Sequence, residues 1–164
     1  MKTRAIAIAA VSAAVLASCT MEYPKTRGEF TGNSKIAKTA YTVPRSLDAV
    51  VASLGKQAER CVNKEIVEHR MSGASLSTSR DVYMMTVEKK SARRGELTYR
   101  QASNNMAFQP KGGFFMFAAD LEAQGAKSTK VTLYHSPYMQ GTLINAVTEW
   151  SKGNDQACHG YGGK

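Results

Sequence analysis

The chain has 164 residues, 43% of them hydrophobic and 21% charged, and its 22 Lys and Arg against 13 Asp and Glu leave a formal net charge of +9. This length leaves room for one domain with a sizeable core and not for several. The basic balance favours anionic neighbours such as phospholipid headgroups, lipopolysaccharide phosphates or an acidic protein surface.

Lys2 and Arg4 form a basic start ahead of an apolar run over residues 5–17. These thirteen residues are too few to cross a bilayer as a helix, which takes about 20, and they match the apolar centre of a signal peptide. The run closes on Leu16-Ala17-Ser18-Cys19, which resembles the lipobox of bacterial lipoproteins. The resemblance covers residues 1–19. It implies that the Cys19 thiol receives diacylglycerol, that residues 1–18 are removed and that the new amino terminus is acylated. The alternative is cleavage after Ala17 with Val15 at the outer small position, which gives a soluble secreted protein. Thr20 after the cysteine, in place of Asp, is similar to the outer-membrane sorting pattern of enteric bacteria, so the expected location is the periplasmic side of the outer membrane.

With Cys19 lipidated, the remaining cysteines, Cys61 and Cys158, are even in number, and export places them in an oxidising compartment where a disulfide persists. A bridge between them closes a loop of about 98 residues, for which the chain-entropy model gives roughly 4 to 5 kcal/mol. Two buried free cysteines are the alternative. The mature chain then runs over residues 19–164, and losing Lys2 and Arg4 lowers the formal charge from +9 to +7. Nucleic acid also attracts a basic chain, but an exported, anchored protein seldom meets it, so no nucleic-acid partner is expected.

Residues 19–40 carry Pro24, Gly28, Gly32 and Asn33 with little apolar periodicity, and are expected to be a flexible tether ahead of a single domain at 41–164. Leu47, Val50, Val51, Leu54, Ala58 and Cys61 recur at spacings of three and four, which predicts an amphipathic helix with Ser46 as its N-cap and Cys61 on its buried stripe. Short β-type runs follow, predicting strands near 62–69, 80–90, 96–103, 113–123 and 129–135. In the fourth, Phe115, Phe117, Ala119 and Leu121 are expected to form one continuous apolar face. Gly- and Ser-containing stretches at 91–95, 110–113 and 125–128 suit hairpin connections, so the strands form an antiparallel meander. Ser136-Pro137 is the expected start of a closing helix, with Met139, Leu143, Val147 and Trp150 on one face and Gly153 as its stop. The economical assembly is a two-layer α+β domain in which both helices cover the same face of a meander of about five strands.

This order looks like a helix-grip arrangement, as in the domains of the C-component lipoprotein of the outer-membrane barrel-assembly machinery. A cysteine ending the first helix and Trp150-Ser151-Lys152-Gly153 leading to Cys158 are similar to small uncharacterised proteobacterial lipoproteins. Neither resemblance carries over a catalytic or binding residue, and at the level of the fold it implies an envelope accessory role only by analogy.

Motifs that carry chemistry are near misses, and no catalytic residue is assigned. Gly73-Ala74-Ser75-Leu76-Ser77 begins like a nucleophile elbow but lacks the second glycine. Ser53-Leu54-Gly55-Lys56 has the serine-lysine spacing of penicillin-binding enzymes but sits in an ordinary amphipathic helix. His135 and Ser136 are neighbours on a strand and point to opposite faces. His69, His135 and His159 lack metal-ligand spacing, and Met84, Met85, Met106, Met116 and Met139 are read as core filling rather than Cu(I) ligands. No metal and no cofactor is expected.

The remaining feature is Lys89-Lys90-Ser91-Ala92-Arg93-Arg94 at a hairpin tip. Lys89, Lys90, Arg93 and Arg94 could dock on anionic headgroups or an acidic partner, at about 1 kcal/mol per basic residue near such a surface. They could equally be a solvated tip that keeps strand edges soluble. The sequence therefore points to a non-enzymatic lipoprotein, held to the membrane by its lipid anchor, that binds an envelope component or assists its assembly. The alternative is a carrier of an apolar small molecule or lipid, held between sheet and helices in a cavity lined by Tyr83, Met85, Phe117 and Trp150. A hydrolase, the third class, needs a cluster of ionisable side chains in a deep pocket.

Overall fold

The computed structural model describes residues 23–105, 109–137, 139 and 141–159. The signal segment and Cys19 lie outside these residues, as does Met106. The β-type runs pair as antiparallel neighbours in one sheet of six strands: β1 (Ala37–Val43), β2 (Lys64–Ser72), β3 (Ser75–Lys89), β4 (Arg94–Ser103), β5 (Phe114–Gly125) and β6 (Ser128–His135), in the order β1-β6-β5-β4-β3-β2. From β2 to β6 the chain is a meander. β1 then adds to the outer edge of β6, with Tyr41 opposite Val131 and Lys38 opposite Tyr134.

β1 corrects the expectation of a tether reaching residue 40. Ala37 and Tyr41 of this strand are partly covered, and Val43 is fully buried. The first half is solvated and shows no alternation, so nothing local marks it as a strand; the open edge of β6 supplies its hydrogen bonds. A second part of the expected tether forms a short helix, α1 (Arg27–Gly32), started by Thr26, whose Oγ1 accepts the Glu29 N–H at 3.1 Å. Its one buried residue, Phe30, packs with Ala118 and Tyr134 on the sheet face opposite the two longer helices.

Those longer helices are α2 (Leu47–Gln57) and α3 (Gly141–Lys152). Ser46 Oγ caps α2 by accepting the Ala49 N–H, and Leu47, Val50 and Leu54 form its buried stripe. The helix widens into a π-helical turn over Ala58–Val62, closed by the Asn63 N–H on the Ala58 carbonyl at 2.8 Å. The extra residue lets Ala58, Cys61 and Val62 all turn inward. α3 begins at Gly141 rather than at Ser136-Pro137; that pair instead makes a turn in which the Met139 N–H meets the Ser136 carbonyl. Its end follows from Gly153, at φ +100°, with the Gly153 and Asn154 N–H groups on the Trp150 and Glu149 carbonyls.

Leu143, Ala146, Val147 and Trp150 of α3 join the α2 stripe over Leu97, Phe117, Leu121 and Leu133 of the sheet in one continuous core. The fold is thus an α+β antiparallel sheet with its two main helices on one side. A register shift alters the expected apolar face of β5. Tyr99 faces Phe117 while Arg100 faces Phe115, so Met116 is the extra residue of a β-bulge. Phe115 is thereby turned to the α1 side, where it packs against Phe30 at a ring separation of 6.2 Å.

Candidate functional site

The longest exposed structure is the hairpin of β2 and β3. β3 has 15 residues, but only 81–89 pair with β4; its first half, 75–80, pairs with β2 alone. The two strands turn through Gly73-Ala74, with Gly73 at φ +60°. This is the sequence that began like a nucleophile elbow. Both faces of the resulting arm are solvated, yet it carries Val67, Met71 and Leu76 at 47%, 76% and 64% exposure. Cross-strand partners share a face, so Met71 opposite Leu76 and Val67 opposite Arg80 form one stripe, with His69 opposite Thr78 between them. The arm is fixed at its base by Asn63, which accepts the Met85 N–H at 2.6 Å and donates to the Met85 carbonyl at 3.2 Å.

The basic tip joins β3 to β4, where the Lys90 and Ser91 N–H groups both meet the Arg94 carbonyl. Its cations are largely paired within the chain. Lys89 Nζ meets Asp48 in the first turn of α2, Lys90 Nζ meets Glu88, and Arg94 lies 3.6 Å from Glu96 and 3.7 Å from Asp120. Among the described residues, Arg93 is the tip cation without an ion pair; its backbone N–H is held by Ser91 Oγ.

Beside the tip, on the α1 face, Arg27 donates to the Ala119 carbonyl and to Asp120, both at 2.8 Å, while Tyr134 donates to the other Asp120 oxygen at 2.9 Å. Burial alone raises the Asp120 carboxyl, but the hydrogen bonds from Tyr134 and Arg27 and the charges of Arg27 and Arg94 outweigh it and hold the group below the usual carboxylate range. The Tyr134 phenol moves the other way, raised by burial and by the carboxylate it serves. Arg27 Nε is buried without a hydrogen bond, 3.7 Å from Glu96. A groove of about 240 Å³ opens here between Arg27, Glu88, Lys90, Glu96 and Arg100. Arg27 and Lys90 are paired with Asp120 and Glu88, while Arg100 lies over the Phe115 ring, 5.3 Å from its centroid, with no ion pair among the described residues.

At the opposite face Cys61 and Cys158 are joined by a disulfide, with S–S 2.04 Å and Cα atoms 5.6 Å apart. The tail that carries Cys158 is bound to α2 and α3 by polar side-chain atoms. Gln57 Nε2 donates to the Asp155 carbonyl at 2.8 Å, Ser53 Oγ contacts the Trp150 carbonyl at 2.7 Å and the Asp155 carboxylate, and Trp150 Nε1 donates to the Ala157 carbonyl at 3.0 Å. Ser53, the serine of the serine-lysine spacing, is thus a buried tie between elements. Three of the four residues expected to line a carrier cavity, Met85, Phe117 and Trp150, are at most 1% exposed within the continuous core. Tyr83 is half-buried and meets Gln101 at 3.5 Å.

His69 contacts Thr78 Oγ1, His135 the Ser136 carbonyl and His159 the Asn154 carbonyl, three separate places in the fold. Among the described residues no group of His, Cys, Asp and Glu gathers with the geometry of a metal site. The arm is the candidate surface that sequence reasoning missed beyond the strand expected near 62–69. Its second strand begins in Ser75-Leu76-Ser77-Thr78-Ser79, which reads as a loop; the signal available was Gly73, flanked by two runs able to pair residue by residue.

No protein-family model and no curated protein matches the chain. Among solved structures it is similar to a START superfamily protein from Mycobacterium smegmatis, at 9% identity over 74% of this chain and 97% of that one, with a TM-score of 0.39. It is also similar to norcoclaurine synthase from Thalictrum flavum, at 10% identity over 72% and 91% of the two chains and a TM-score of 0.33. A third is the di-domain ARO/CYC protein StfQ of the steffimycin biosynthetic pathway, at 13% identity over 70% and 41% and a TM-score of 0.32. No residue or activity is carried over from them to this chain.

Proposed function

We propose that this chain is a non-enzymatic, lipid-anchored protein of the bacterial envelope that works by binding another protein through the β2–β3 arm. The observation that carries the proposal is the arm itself: it extends beyond the sheet, contributes nothing to the core over residues 67–78, and exposes Val67, Met71 and Leu76 together on one face. Solvated hairpins hold themselves together poorly, so apolar residues placed on one have their use in a contact outside the domain. The lipobox at Cys19 and the Cys61–Cys158 bridge support the envelope as its location. The paired charges of Lys89, Lys90 and Arg94 favour the solvated reading of the basic tip over a lipid-headgroup site.

The test is an arm-shortened variant in which residues 69–78 are replaced by Asn-Gly, closing the hairpin at the pair of Glu68 and Ser79. Its midpoint of thermal unfolding is expected to stay within about 3 °C of wild type, because no core residue is lost. Its cellular phenotype is expected to match deletion of the whole gene. A variant that unfolds normally and still functions removes the arm as the binding surface.

A second reading, a carrier of a small apolar molecule, is favoured by Tyr83, Met116 and Met139, each half-buried and packed against the core. Native mass spectrometry of protein purified from cells decides it. A bound lipid-sized mass favours the carrier, and the bare chain mass favours the protein-binding domain.

A further inference from the structure

The outer edge of β2 ends the sheet, and among the described residues no strand pairs with it. The direction of its backbone groups follows from the turn. In a two-residue loop the flanking residues, Ser72 and Ser75, exchange hydrogen bonds, and bonded and non-bonded pairs then alternate along the ladder. Arg70 and Glu68 therefore bond inward to β3, while Met71, His69 and Val67 point their N–H and C=O groups outward. The residue opposite Val67 agrees: Arg80 gives its N–H to the Asn104 side chain and its carbonyl to the Asn104 N–H, leaving neither for Val67.

Sheet edges are usually blunted by a bulge, a proline, a short strand or a row of lysine. β2 is nine residues long, contains no proline, and pairs with β3 without a register shift. Its charges differ in sign, in an order that complements itself. Turned about a two-fold axis at His69, residues 66–72 face the same residues of a second strand. Glu68 then lies opposite Arg70 and Arg70 opposite Glu68, Val67 lies opposite Met71 and Met71 opposite Val67, and His69 meets its own copy. The outward groups of Val67, His69 and Met71 fall on one another, as an antiparallel ladder requires. Other centres fit less well. Glu68 at the axis sets two carboxylates together, Val67 sets Lys64 against Arg70, and Ile66 reduces the overlap to residues 64–68.

On the basis that the arm is the protein-binding surface, we infer that its partner is a second copy of this chain, added antiparallel along β2 with the axis at His69. The two sheets become continuous, and the Glu68–Arg70 ion pair now made within one strand at 2.9 Å is replaced by two pairs across the interface. Anchoring both copies to one membrane raises their effective concentration, so a contact of modest affinity suffices.

Charge reversal tests the register. In the soluble Cys19→Ser chain, Glu68→Lys or Arg70→Glu alone places like charges at both symmetric positions and is expected to weaken dimerisation roughly tenfold, read by sedimentation. The double swap, Glu68→Lys with Arg70→Glu, is expected to restore it to within about threefold. His69→Cys puts two thiols at a bonded cross-strand pair about 5.5 Å apart between Cα atoms. Mild oxidation is then expected to give a covalent dimer. Thr78→Cys on β3, about 14 Å from its copy across three strand spacings, is expected to give none. A chain that stays monomeric up to about 1 mM, with no more dimer from His69→Cys than from Thr78→Cys, overturns the inference. If the arm then cross-links a different envelope protein in cells, the second copy is excluded and the protein-binding surface stands; if it cross-links nothing, both fall.

Discussion

Asp120 gathers more of the molecule than any other ionisable side chain on the α1 face: Arg27 from the helix, Arg94 from the basic hairpin and Tyr134 from the neighbouring strand all converge on it. Its carboxyl is held below the usual range in the folded chain. Stability from a depressed carboxylate is complete above its unfolded value, near pH 4, and is lost as pH falls through the folded value. Wild-type protein is therefore expected to lose stability on acidification below about pH 4 more steeply than Asp120→Asn, which is less stable at neutral pH and flatter in acid. Urea midpoints at stepped pH values measure this, and parallel curves for the two proteins would count against it. Arg27 and Asp120 are 93 residues apart in the chain, so no local pattern announces them. Arg27 reads as one more cation in a basic tether until α1 folds back on the sheet.

Among the elements, those with a buried stripe were legible and those without one were not. α2 is marked by Ser46 and by Leu47, Val50 and Leu54, and the structure places its cap there. The strands from β3 to β6 follow from alternation, because one of their faces lies under the helices. β1 and the arm are the exceptions. β1 is specified by the free edge of β6, and the arm beyond the strand expected near 62–69 is solvated on both faces, so neither leaves a period-two signal. The bulge at Met116 is also silent in the sequence, where Phe115 looks like one more member of the Phe117 face. The disulfide ties the end of the π-helical turn to the tail beyond α3, across a separation of 97 residues. Chain entropy assigns such a bridge about 4 to 5 kcal/mol at most. Cys158→Ala is expected to lower the thermal midpoint by about 10 °C. A non-reduced digest of wild-type protein is expected to contain the Cys61–Cys158 cross-linked peptide, and recovery of both cysteines alkylated without reduction would refute the bridge.

At the scale of the whole molecule, the proposed function needs two separate devices: a lipid at Cys19 to hold the chain on a membrane, and a rigid domain to hold an arm away from its own core. The first predicts that Cys19→Ser moves the protein from the membrane to the soluble fraction, since multiple acyl chains anchor stably where one does not. Retention on membranes after a high-salt wash would show that something else holds it. In the proposed function the arm makes the partner contact, and a photo-cross-linking amino acid placed at Leu76 in living cells probes it most directly. A discrete protein adduct from position 76 is expected, absent when the same probe replaces Lys127 at the β5–β6 turn and lost when Val67 and Met71 are both changed to Asp. Identical patterns from positions 76 and 127, or no adduct from 76 at all, would contradict a protein-binding arm.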